Sequence, residues 1–205
     1  MAFLSQQELQ DIRQAIAAAE TRTSGELVVV IAAQSDDYLY IPTLWAALIA
    51  LAVPGLAALL GQPWLQQHVY LLQFATFMVL ALAFQWRPLK FRLIPRAVSY
   101  VRAQRLAQEQ FLVQNLHHTE QRTGVLIFVS VAEHYVEILA DKGINDRVPD
   151  DTWDHIVQQF TGLVKQGRVA EGFMQTIQRC GEVLAENFPA GDNNPNELPN
   201  RLIEL

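Results

Sequence analysis

The stretch LADKGINDRVPDDTWDH, residues 139–155, gathers Asp141, Asp146, Asp150, Asp151 and Asp154 around a glycine and a proline. Clustered carboxylates supply the hard oxygen donors that calcium or magnesium takes. The order is not that of an EF-hand, because it begins Asp141-Lys142-Gly143-Ile144-Asn145-Asp146 and has no glutamate at the twelfth place. Lys142 and Arg147 offset part of the acidity. The same residues also have a local use. Asp150 or Asp151 can cap a helix that starts near Thr152, Asp154 adds favourable charge to its first turn, and Gly143 suits a turn. Capping and turn formation is the preferred reading. A divalent-ion site on Asp141, Asp146, Asp150 and Asp151 is the alternative.

A second acidic group is Asp36, Asp37 and Glu133, with His134 beside it. These residues follow two apolar runs, ELVVVIAA at 26–33 and VLIFVSV at 125–131. If both runs are parallel strands, the group sits at their carboxyl ends, where open sheets bind ligands. Calcium or magnesium would suit those oxygens, whereas polar residues leaving a strand are the plainer explanation. Nucleophilic chemistry has little to work with. Cys180 is the single cysteine, so no intrachain disulfide forms. His117 and His118 are adjacent and would point apart on a helix, and no phosphate loop or serine elbow is present.

The elements that must position these groups follow from patterning. Ser5 with Glu8 forms a capping box ahead of Leu9, Ile12, Ile16 and Ala19 at helical spacing. Residues 97–121 read as a second long helix. The segment HYVEILA, 134–140, alternates as a strand returning antiparallel to the second run. Apolar stripes at 151–166 and 168–188 predict two more helices, ended by Gly167 and Pro189. The tail from 190 to 205 is rich in Pro and Asn and is expected to be mobile, with LIEL at its end.

Between Tyr38 and Trp86 the chain has no Asp, Glu, Lys or Arg. A helix over 41–61 would span about 31 Å, enough to cross a bilayer. Residues 67–86 give a second apolar run, with Trp64, Tyr70 and Trp86 near the ends, where aromatic rings favour headgroups. Pro54-Gly55 predicts a kink in the first span. Arg87, Lys90, Arg92, Arg96, Arg102 and Arg105 follow at once. That asymmetry keeps both termini cytoplasmic, in a bacterial inner membrane, and makes Arg87, Lys90, Arg92 and Arg96 candidates for anionic-lipid binding. Beside a span, lipid contact is a better reading of such a run than nucleic acid. The domain plan is therefore an α/β domain split into 1–37 and 97–189, with a hairpin and basic segment at 38–96 and spans at about 41–61 and 67–86.

The order of helix, Thr-Gly and strand, then RTGVLIFVSVAEHYVEILADKGINDRVPDDTW, resembles the TPM domain family. Gly124-Val125-Leu126, Glu133–Ile138, Gly143-Ile144, Val148-Pro149-Asp150 and Gly172-Phe173 carry the resemblance, which extends over 5–37 and 97–189. It implies an α/β/α sandwich with a small mixed sheet, here interrupted by a two-helix transmembrane hairpin. It also implies calcium or another divalent ion in several members, acid phosphatase activity attributed to some, and roles in membrane-complex assembly or repair for others. The expected function is a membrane-anchored binding or scaffold module, with divalent-ion binding as one of its expected properties, that supports assembly or maintenance of membrane complexes, with lipids and a membrane-protein partner or a second copy as its partners. A metal-dependent phosphohydrolase and an anionic-lipid sensor are the alternatives.

Overall fold

The continuous run of β-branched residues at 26–32 makes a poor helix and a good strand, because branched side chains pack well on a pleated surface. In the computed structural model, which describes residues 4–61, 63, 67–149, 151–191, 197–199 and 202–205, it forms β1 (Glu26–Ala32), buried along its whole length. The second run forms β2 (Gly124–Ser130), equally buried. They pair in parallel from Glu26 opposite Gly124 to Ala32 opposite Ser130. β3 (Tyr135–Ala140) returns antiparallel to β2, with Val125 opposite Ala140.

The helices cover both faces of this sheet. Ser5 caps α1 (Gln6–Glu20) through a reciprocal box with Glu8, as its spacing predicts. α7 (Asp151–Lys165) and α8 (Val169–Asn187) join α1 over the face carrying Leu27, Val29, Ile31, Val125 and Ile127. The opposite face, with Val28, Val30, Leu126 and Phe128, is covered by Ala103 and Ala107 of α5 (Arg96–Val113) and by Leu116. Alternate residues of β1 and β2 thus feed two cores, as the period of a strand demands. The layering is α/β/α.

Two expectations give way here. The helix expected over 97–121 ends at Val113, because Asn115 turns left-handed at φ 60° and a short 3-10 turn, Leu116–His118, follows. The tail expected to be mobile contributes β4 (Leu202–Glu204), parallel to β1 through Val29 opposite Leu202. The sheet order is β3-β2-β1-β4. β1 is buried on both faces and carries free ladder groups on the side away from β2, which Leu-Ile-Glu satisfies.

The chain divides into two compact units, Met1–Ser35 with Arg102–Leu205 and Asp36–Val101. The second contains α2 (Tyr40–Leu60), α3 (Val69–Ala83) and α4 (Arg87–Leu93). α2 runs through Pro54 as one helix and packs on α3, with Ala46, Ala50 and Ala57 buried. Small residues at such spacing let two helix backbones approach closely. α2 is long and apolar enough to cross a membrane. α3 is shorter than the expected second span: its 15 residues reach about 22 Å. Beyond Phe84 the chain turns, and α4 lies at 104° to α3. The second run reaches spanning length only as this bent pair. Trp64 lies outside the described residues.

Candidate functional site

At the carboxyl end of β1 and β2 the parallel register brings Ser35 beside Ser130 and the turn into β3. The Ser35 N–H donates to Glu133 Oε1 at 2.9 Å, and the Ser130 hydroxyl donates to Glu133 Oε2. The two serine hydroxyls share a hydrogen bond of 2.7 Å. Ser130 and Glu133 are both buried, and His134 turns outward at φ 51°. Glu133 is therefore a clamp that ties the exit of β1 to the β2–β3 turn. Asp36 and Asp37 belong to the hairpin unit. Asp36 Oδ1 accepts the N–H of Tyr38 at 3.0 Å, holding a turn in which Tyr38 is left-handed at φ 49° and fully buried.

The aspartate loop 141–154 resolves into separate roles. Asp141 caps α6 (Lys142–Asn145), accepting the Lys142 N–H at 2.7 Å, and lies 4.0 Å from the exposed guanidinium of Arg122. Its Oδ2 is buried and accepts no hydrogen bond. Gly143, expected in a turn, sits inside α6. A Cβ there would stand 2.5 Å from the Gln121 carbonyl oxygen and 2.6 Å from that of Arg122. Space, not turn conformation, calls for glycine. Asp146, Asp151 and Asp154 are exposed, with Asp151 facing His155 across 3.9 Å. Asp150 lies outside the described residues.

The buried acids at the opposite end of the sheet went unnoticed in the sequence. Glu20, the last residue of α1, turns inward, and its Oε1 accepts the Leu27 N–H at 3.0 Å. Burial pushes its carboxyl up to about 8; the Leu27 bond opposes this, and the nearby charge of Glu26 adds to it. Glu26 opens β1 in a buried position and accepts the N–H groups of Glu197 and Leu198 at 2.9 and 3.3 Å. Burial raises its pKa too, with those two bonds working against it and Glu197 adding repulsion. One signal was available: an acidic residue heading an otherwise apolar strand. Cys180 is inert, since complete burial pushes its thiol up to about 12.

A divalent ion needs several oxygens converging on one point. Among the described residues no three His, Cys, Asp or Glu side chains form such a group. Glu133 has both oxygens engaged, and Asp141 offers a single spare oxygen beside an arginine. The basic segment is arranged differently. Arg87 and Arg92 are exposed on α4, Arg96 is exposed at the start of α5, and Lys90 is buried.

Comparison with known proteins adds the following. Residues 93–183 match the model of the TPM domain. The solved NMR structure of the BA42 protein from the psychrophilic bacterium Bizionia argentinensis superposes with a TM-score of 0.63 and 25% identity, over 99% of this chain and 96% of that one. No curated protein matches the chain.

Proposed function

We propose, from the premise that this chain carries a TPM domain, that it is a non-catalytic binding or scaffold module held at a membrane. It serves the assembly or maintenance of a membrane complex, with a membrane protein or a second copy as its partner. The observation that carries this reading is the outer surface of the hairpin unit. Leu51, Leu59, Tyr70, Leu71, Val79 and Leu82 all point outward from α2 and α3. An apolar surface of that extent is a liability in water and a match for lipid or another apolar helix. The basic residues after α3 favour a cytoplasmic position for the flanking chain in a bacterial inner membrane. Engagement of Glu133 as a clamp further favours binding over a metal-dependent reaction.

The test is extraction of the full chain from membranes, followed by gentle detergent solubilisation. Resistance to carbonate and co-purification with a membrane protein or with itself are expected. Release by carbonate removes the anchor. Turnover of a phosphomonoester that depends on a divalent ion replaces the scaffold reading with the phosphohydrolase.

A further inference from the structure

Lys90 lies on the inner side of α4, only 8% exposed. A lysine stem packs well against apolar surface, but its ammonium needs water or an anion at the tip. From Tyr38 to Val101 the sequence has neither Asp nor Glu, and Asp36 and Asp37, which open this unit, have contacts of their own.

The surroundings of Lys90 indicate where an anion would come from. α4 leaves α3 at 104°, so if α3 runs along a bilayer normal, α4 lies close to the bilayer plane. The elbow between them carries Trp86, 70% exposed, a residue suited to the headgroup layer. Tyr38 and Phe91 meet edge to face at 5.9 Å, and with Ile41 and Ile94 they form a small core that fixes α4 in the unit. Arg87 and Arg92 flank Lys90 on the exposed side of the same helix, and Arg96 opens the next helix after the break at Ile94. Four positive charges thus follow the end of an apolar helix, in a stretch from Tyr38 to Val101 that has no Asp or Glu.

We propose that this elbow is a binding site for the phosphate of an anionic phospholipid headgroup, with Lys90 as its inner contact and Arg87, Arg92 and Arg96 as its rim. The proposal rests on the membrane-held reading above and adds a lipid of defined charge to it. The site selects anionic over zwitterionic lipid, because a choline headgroup brings its own cation to a place already crowded with positive charge. Lys90 contributes more than any rim arginine, since a charge pair shielded from water is weakened less by the solvent.

The experiment uses the full chain in nonionic detergent, titrated with short-chain phosphatidylglycerol, short-chain phosphatidylcholine and inorganic phosphate, with retained ligand counted by native mass spectrometry. Phosphatidylglycerol is expected to bind about tenfold more tightly than phosphatidylcholine, as about 1 kcal/mol per basic residue near an anionic surface allows. Lys90→Met should abolish that preference, Lys90→Arg should keep it, and Arg92→Gln should lose a smaller, salt-sensitive part. Equal binding of the two lipids, or an unchanged preference in a well-folded Lys90→Met, overturns the site. Inorganic phosphate binding as tightly as phosphatidylglycerol overturns the lipid as its source. Should Lys90→Met fail to fold, the ratio in wild type and in Arg92→Gln decides. A chain that inserts stably into phosphatidylcholine vesicles without lipid preference loses the site and keeps the anchor; one that does not insert loses the anchor itself.

Discussion

β1 and β2 of the sheet unit are buried from end to end, whereas α2 and α3 of the hairpin unit leave Leu59 83% and Tyr70 82% exposed. Both regions are strongly apolar, so hydrophobicity alone does not separate them. Period does. In the strands, successive side chains enter two cores, each closed by helices. In the hairpin, α2 buries Ala46, Ala50 and Ala57 along one stripe and Ile41 in the small core with Tyr38 and Ile94, while much of its surface stays exposed. Under the membrane-held reading proposed above, a bilayer covers the apolar surface left over in that way.

The sharpest break in this contrast is a glycine exchange. Gly143→Val places a Cβ against two carbonyl oxygens and is expected to destabilise the sheet unit by about 3 kcal/mol or more, enough to prevent folding. Gly55→Ala in α2 has nothing within 4 Å of the new Cβ, and should leave stability equal or slightly higher. Thermal melts of the two variants in the same detergent check the pair. Phe128→Ala follows, with an expected loss of roughly 3–5 kcal/mol from a fully buried ring. Leu59→Ala should not move the melt, and its effect should appear as weaker retention in vesicles.

A smaller effect separates the two ends of the sheet. The Glu20 carboxyl is held near 8 when folded and titrates at its ordinary acidic value when unfolded. The folded state therefore binds more protons between those values, and its stability falls as pH rises from about 4.5 to about 8. Glu20→Gln should flatten that slope by a few kcal/mol across the window, read from urea midpoints at several pH values. Ser130→Ala at the other end removes one donor to Glu133 and should cost about 1–3 kcal/mol, through the loss of a partner for a buried carboxylate. A flat pH response in wild type, or no change in Ser130→Ala, would erase the distinction between a protonation-sensitive end and a clamped one.

Much of this was legible in the residues. The parallel pairing of β1 and β2, the antiparallel return of β3 and the boundaries of α7 and α8 all follow from period and from Gly and Pro punctuation. The cluster at 139–155 carried the family resemblance, yet among the described residues its aspartates form no group of three or more. Asp141 caps a short helix while Asp146 and Asp154 face water. Density of carboxylates along a chain says nothing about the direction in which each one points.

The sequence by itself determined β1, β2 and β3, the helices α1, α7 and α8 and the apolar hairpin segment, because burial pattern and end signals are written within a few residues of each position. Only the tertiary structure decided which polar groups meet. Glu133 finds Ser35, Glu26 finds the backbone of Glu197, and Leu202–Glu204 completes the edge of β1. Each of these contacts joins residues far apart in the chain. Their energies depend on a register and a depth of burial that no local window contains.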